Sequence, residues 1–262
     1  MKTNKEYIAE NQALWDTKTD IHVASQFYDV EGFLAGQNSL RHIELGLLPD
    51  VAGKSILHLQ CHFGLDTMSW NRLGAKATGV DFSPNAIEQA KSINKQAGLD
   101  ARFVQSDVLE LDLDEQFDIV FTSYGVLGWL PDLKRWSEVV NKHLKPGGTL
   151  CIVESHSVMY LFNEKGEFFY PYFGGKGPDT EMTSQTYTDG PKHESLPENF
   201  WIHTQEEIIQ TVIDAGLSLN YIKAYPYFPY PAFNMEKVGE EQHVFNSQQG
   251  RIPYTYSILA TK

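Results

Sequence analysis

Residues 54–66, KSILHLQCHFGLD, decide the fold. The first six residues, KSILHL, are a short apolar run that reads as a buried strand, bounded by Gly53 before and Gly64 after. The following LDTMSWNRLG, residues 65–74, reads as a helix with Gly74 just past its end. A strand running through a tight turn into a helix is the first half of a βαβ unit.

The pattern repeats outward from there. AKATGVD (75–81) is a second strand. SPNAIEQAKSINKQAG (83–98) is a helix with Ser83 as cap, Pro84 at its first position and Gly98 closing it. ARFVQSD (101–107) and FDIVFTS (117–123) are two more strands. PDLKRWSEVVNKHL (131–144) is a helix with Trp136, Val139, Val140 and His143 on one face. KPGGTLCIVES (145–155) turns into a fifth strand. Alternating strands and helices joined by short connections imply an α/β, doubly wound, mostly parallel sheet with helices on both faces.

The flanks differ. Residues 1–50 read as an amino-terminal helical cap: one helix over about 5–16, a short one near 25–34, and a third capped by Asn38 or Ser39 with Glu44 inside. Residues 156–201 are rich in Tyr, Phe, Gly and Pro and read as an insertion. TSQTYTDGPKH (183–193) suggests a hairpin there, turning at Asp189-Gly190. Thr204 to Glu207 form a capping box for the helix EEIIQTVIDAG. LSLNYIKAY is a sixth strand, residues 226–252 a long aromatic loop, and IPYTYSILATK a last strand.

Composition narrows the function. The chain has 262 residues, 42% of them hydrophobic, which excludes disorder and fits one α/β domain with an insertion. The formal net charge of −13 argues against nucleic-acid or anionic-membrane partners. No apolar run reaches membrane-spanning length, and the amino terminus lacks the apolar core of a signal peptide. Two cysteines, Cys61 and Cys151, are too few for a disulfide scaffold and point to a reducing cytoplasm.

In this fold class the ligand lies at the carboxyl ends of the strands. The first turn carries only Gly64, where a dinucleotide loop needs three glycines. Gln60 and His62 stand where a pyrophosphate would approach the backbone, which disfavours a nicotinamide-dependent oxidoreductase. Asp81 ends the second strand 17 residues after Gly64, placed to accept both ribose hydroxyls. Asp107, after Ser106, can accept from a purine amine while Phe82 and Val108 sandwich the ring. These acids, with a phosphate-averse turn, suggest an uncharged adenosyl group. His58, Cys61 and His62 invite a metal reading. His58 lies within a strand and Cys61 reads as packed, so no metal is expected.

The ordered set ILHLQCHFG, TGVDFSP, FVQSDV, FDIVFTSYGVLGWLPD and LKPGGTL resembles the class I S-adenosylmethionine-dependent methyltransferases, in a bacterial branch with the HLQCHFG first loop. The resemblance covers about residues 50–155. It implies a Rossmann-like, seven-stranded sheet with the last strand antiparallel between the fifth and sixth, and makes residues 51–262 the methyltransferase domain. It also implies S-adenosylmethionine as cofactor and methyl transfer to a small-molecule acceptor by in-line displacement. Gln60, Cys61, His62, Gly64 and Leu65 then line the methionine end, Asp81 takes the ribose, and Ser106, Asp107 and Val108 hold the adenine. Ser123 and Tyr124 border the transferable methyl. The chain departs from the family by placing His58 at the usual acidic position and Gln60 and His62 at two glycine positions. Tyr124 and His22 are the candidate catalytic residues. Tyr28, Trp129, His156, Tyr187 and Trp201 are expected on the acceptor side. A non-catalytic adenosyl-binding protein stays open as an alternative.

Overall fold

Ser55–Leu59 forms strand β1 in the middle of the main sheet. Its side chains alternate between two covered faces, so Ile56, Leu57 and Leu59 are all buried, with His58 buried among them. The computed structural model describes residues 2–163, 165–232 and 234–262. The further strands are β2 (Lys76–Asp81), β3 (Arg102–Gln105), β4 (Phe117–Ser123), β5 (Leu144–Ser155), β6 (Asp179–Thr183), β7 (Leu196–Phe200), β8 (Ser218–Tyr225), β9 (Glu236–Gly239), β10 (Gln242–Val244) and β11 (Thr255–Thr261). Seven of them form one sheet in the order β3-β2-β1-β4-β5-β11-β8. The pairings among β1 to β5 are parallel, while β11 runs antiparallel to both β5 and β8, as the sequence implied. The strand order reverses between β1 and β4, which opens a crevice at their carboxyl ends.

The helices are α1 (Asn4–Val23), α2 (Val30–Leu34), α3 (His42–Leu47), α4 (Leu65–Arg72), α5 (Pro84–Gln96), α6 (Leu133–His143) and α7 (Gln205–Asp214). Leu57, Leu59, Val120, Leu150 and Ile152 meet Trp136, Val139 and Val140 of α6 and Ile208 and Val212 of α7 on one face. Ile56, Phe121, Cys151 and Val153 meet Ile43 of α3 and Trp70 of α4 on the other. Ser83 caps α5, Asp132 caps α6, and Thr204 with Glu207 boxes the start of α7.

Several expectations need correction. First, α1 runs on to Val23 instead of stopping near residue 16. Its last turns bury Lys18, Thr19 and His22, and the Thr19 hydroxyl donates back to the Trp15 carbonyl, so tertiary contacts extend a weakly patterned helix. Second, the short second helix begins only at Val30, because Ser25 is used in a turn, its hydroxyl donating to the His22 carbonyl. The third starts at His42; Asn38 caps the Leu40 N–H and the Ser39 hydroxyl donates to Asp66, so neither caps α3.

Third, residues 183–193 are not a hairpin in themselves. They belong mostly to the connection between β6 and β7, which pair antiparallel on either side. The Asp189 carboxylate accepts the Gln26 and Phe27 N–H groups, tying the connection to the chain after α1. Fourth, the stretch 226–252 is not all loop, since β9 and β10 form a small antiparallel hairpin within it.

Candidate active site

The turn after β1 forms the base of the crevice. Gln60, His62 and Gly64 adopt positive φ values of 54°, 51° and 80°. At Gly64 a Cβ would sit 2.3 Å from the Phe103 ring, so only glycine fits. Gln60 and His62 carry side chains in a backbone region that costs a non-glycine residue about 1–2 kcal/mol. Such strain persists where the surroundings fix it, and it clusters at functional sites.

The fixing group is Asp81, only 8% exposed at the end of β2. Its carboxylate accepts the His62 N–H at 2.8 Å and the Ser83 N–H at 3.0 Å. Burial nevertheless pushes its carboxyl up to about 6. Asp107 accepts the Leu109 N–H at 2.9 Å, and burial raises it too. Both acids keep lone pairs for a ligand.

The loop after β4 is held by a residue that the sequence reading missed. Glu154, buried at the end of β5, accepts the N–H groups of Gly125, Val126, Leu127 and Ser155. A carboxylate closing the apolar run CIVES was the available signal, the same one that marked Asp81. The loop begins at Tyr124, again with positive φ (44°). Gln60 Nε2 donates to the Val126 carbonyl at 2.9 Å, while Gln60 Oε1 is buried without a partner. His58 lies beneath, joined to Thr67 at 2.9 Å and Ser123 at 3.4 Å, with burial pulling its imidazole down to about 4.

A roof covers this floor. The Asn11 amide bonds both backbone groups of Asn199, at 2.7 and 2.9 Å, and so joins α1 to β7. Lys18, 4% exposed, pairs with Glu198 at 2.7 Å and lies over the rings of Trp15 and Trp129. His22 meets His62 at 2.8 Å and also reaches Thr186. Burial drives both imidazoles down, His22 to about 2 and His62 to about 3. The hydroxyls of Tyr28 and Tyr187 share a hydrogen bond.

Floor and roof enclose a cavity of about 740 Å³, within the range of small-molecule sites. Gln60, Cys61, His62, Gly64 and Leu65 line it from the first turn, and Asp81, Phe82, Ser106, Asp107 and Val108 from the next two. Ser123 and Tyr124 line it after β4, and Tyr28, Trp129 and Tyr187 from above. Three expected residues do not. His22 is fully buried behind His62. His156 turns Nδ1 to the Val158 N–H and packs edge-on to Tyr256. Trp201 donates its N–H to the Gly128 carbonyl and packs on Tyr7. The cavity instead gains Lys18, Arg41, Glu44 and Tyr230. The Tyr124 hydroxyl donates to Glu44 at 2.7 Å, a contact across 80 residues that no local pattern signals. Burial raises the Cys61 thiol well above its ordinary range, which disfavours the thiolate a nucleophile needs. Among the described residues no group of three or more metal-ligating side chains comes together.

Comparison with known proteins agrees with this geometry. Residues 56–148 match a family model described as a methyltransferase domain. A ubiquinone biosynthesis O-methyltransferase of Salmonella newport is 28% identical over 154 residues, which are 56% of this chain and 63% of that enzyme. The match thus spans less than two thirds of the relative. Two solved S-adenosylmethionine-dependent methyltransferases share the fold. The one from Mesorhizobium loti (18% identity, TM-score 0.56) covers 87% of this chain and 100% of its own. That from Clostridium acetobutylicum (15% identity, TM-score 0.56) covers 97% and 98%. The family-model match over residues 56–148 and the fold shared with these structures make the chain similar to S-adenosylmethionine-dependent methyltransferases.

Proposed function

We propose that the protein transfers a methyl group from S-adenosylmethionine to a small-molecule acceptor. The carrying observation is the cavity at the β1/β4 switch point, with Asp81 and Asp107 at its strand ends and Gln60 and His62 where a pyrophosphate would need glycines. Asp81 is suited to the ribose hydroxyls and Asp107 to the adenine amine, with Phe82 and Val108 against the ring. The buried, unpartnered Gln60 Oε1 suits the ammonium of the methionine end. The cofactor supplies an electrophilic methyl on a sulfonium. The chain's own part is to align the acceptor and exclude water, for which residues 1–50 and the insertion act together as a roof.

Past Tyr124 the cavity continues to Tyr160, Phe228 and Tyr230. That space supports an enzyme over a protein that only stores the adenosyl group. Among the described residues no helix is long and apolar enough to cross a membrane. We place the protein in the cytoplasm, a reading supported by its two unpaired, buried cysteines.

Calorimetry and thermal melting with S-adenosylhomocysteine and with NAD test the assignment. At a hundredfold excess over Kd, S-adenosylhomocysteine should add about 2.7 kcal/mol of stability, and NAD nothing. Stabilisation by NAD alone would return the oxidoreductase reading.

A further inference from the structure

Glu44 is fully buried in the cavity wall. One carboxyl oxygen accepts the Arg41 N–H at 2.6 Å and the other accepts the Tyr124 hydroxyl at 2.7 Å. Asp66, in the first turn of α4, also lines the cavity, and its carboxyl accepts the Ser39 hydroxyl at 2.6 Å. Among the described residues neither acid has an ion-pair partner. The nearby bases are committed elsewhere. The Arg41 guanidinium lies over the Tyr230 ring and pairs with Glu241, which His42 also contacts. Lys18 is held by Glu198.

Buried charge without a counter-ion is costly. Burial, with the Asp66 charge added, accordingly pushes the Glu44 carboxyl up to about 8. The same group is faced by the Tyr124 hydroxyl after β4 and the Cys151 thiol from β5, neither of them cationic. The wall beside it is aromatic. Tyr124, Phe228 and Tyr230 pack edge-on with centroids 4.5 to 6.1 Å apart. Ring faces attract cations. Asp179 and Glu181 add exposed acids to the lining.

We propose that this half of the cavity is the acceptor site and that it takes an amine, bound as its ammonium with Glu44 as counter-charge. The proposal rests on the methyltransferase reading and names its substrate class. An anionic acceptor meets two unpaired acids. A neutral alcohol or phenol gives the Glu44 carboxylate no counter-charge. An ammonium supplies one and lies against the rings. Glu44 is also placed to take the proton that hides the nitrogen lone pair. The N–H bond breaks, an O–H bond forms on the carboxylate, and a neutral amine and a neutral acid remain; the proton then leaves to water.

The test uses the full chain loaded with S-adenosylhomocysteine, with benzylamine and benzyl alcohol as probes of like shape and different charge. Binding of S-adenosylhomocysteine is measured first. Its absence overturns the methyltransferase reading, whereas its presence without amine preference overturns this proposal alone. At about pH 8.5 benzylamine should bind about tenfold more tightly than benzyl alcohol. The preference should shrink toward about pH 6.5, as Glu44 takes a proton that binding must displace. In Glu44→Gln it should fall to about twofold or less, with S-adenosylhomocysteine affinity kept. Asp66→Asn leaves both Glu44 hydrogen bonds in place and should halve the preference or more, which carries the test if Glu44→Gln does not fold. No probe binding, equal binding of the two probes, or a preference that survives both substitutions overturns the proposal.

Discussion

The floor and the roof of the cavity are built in opposite ways. In the floor, the strand-end acid Asp81 finds partners close along the chain: His62 reaches Asp81 over 19 residues, and Asp81 reaches Ser83 over two. Each strand end hands its loop to the next, over a sheet covered on both faces. In the roof, Lys18 meets Glu198 across 180 residues, Asn11 meets Asn199 across 188 and His42 meets Glu241 across 199. Among the buried side chains of α1, Leu14 is the one large hydrophobic, beside Asn11, Lys18, Thr19 and His22. The floor rests on a sheet buried in apolar side chains on both faces, with Asp81 and Glu154 closing its loops. The roof hangs on buried polar pairs, each costly to leave half made. A stable floor with a weaker roof is the division of labour that lets a cavity admit a substrate without unfolding.

The largest effect should come from the floor. Asp81→Ala should weaken S-adenosylhomocysteine binding by roughly 2–4 kcal/mol, about 30- to 1,000-fold, by calorimetry. Unchanged affinity would remove Asp81 from the cofactor site.

Next comes Asn11→Ala, which strips two buried hydrogen bonds from Asn199. It should cost about 2–3 kcal/mol in denaturant unfolding while leaving S-adenosylhomocysteine affinity within about threefold. If both fall together, floor and roof are one cooperative unit and the contrast breaks.

The smallest effect is a slope. His22 and His62 stay neutral in the fold but take protons near 6.5 once unfolded. The unfolded chain therefore binds more protons as pH drops, and stability is lost from about 6.5 downward toward about 3. Asp81 and Glu44, raised by burial, act in the opposite sense, but equally in a variant that keeps both. His22→Phe should thus flatten the acid limb by about 1.4 kcal/mol per pH unit relative to the parent. Parallel acid limbs would mean that His22 is already charged in the fold.

Legibility in the sequence follows the same divide. Asp81 and Asp107 could be read because an acid closing an apolar run sits within one local window. The caps at Ser83 and Thr204 are local too. Glu44 could not be read, since a helix-interior glutamate looks like any solvated residue until Tyr124 is brought to it. His22 was expected in the cavity. Which side of α1 faces inward depends on β7 and the first turn, and His62 takes the lining position instead. The end of α1 was placed near residue 16 because its inward residues are polar, leaving no periodic apolar signal to follow. The hairpin of β6 and β7 was centred too tightly, for Asp189-Gly190 marks a turn that is anchored to another segment.

The Asn11–Asn199 pair also has a consequence in time. Translation runs from the amino terminus, so α1 leaves the ribosome before its partner strand, which follows more than 180 residues later. The parallel strands β1 to β5 have all been made by Ser155. Until β7 emerges, α1 has only early partners, such as Ser83 and Asn85, which bond to Asp16. The nascent chain thus assembles the floor of the cavity in the open and gains this part of its roof only after the parallel strands are complete.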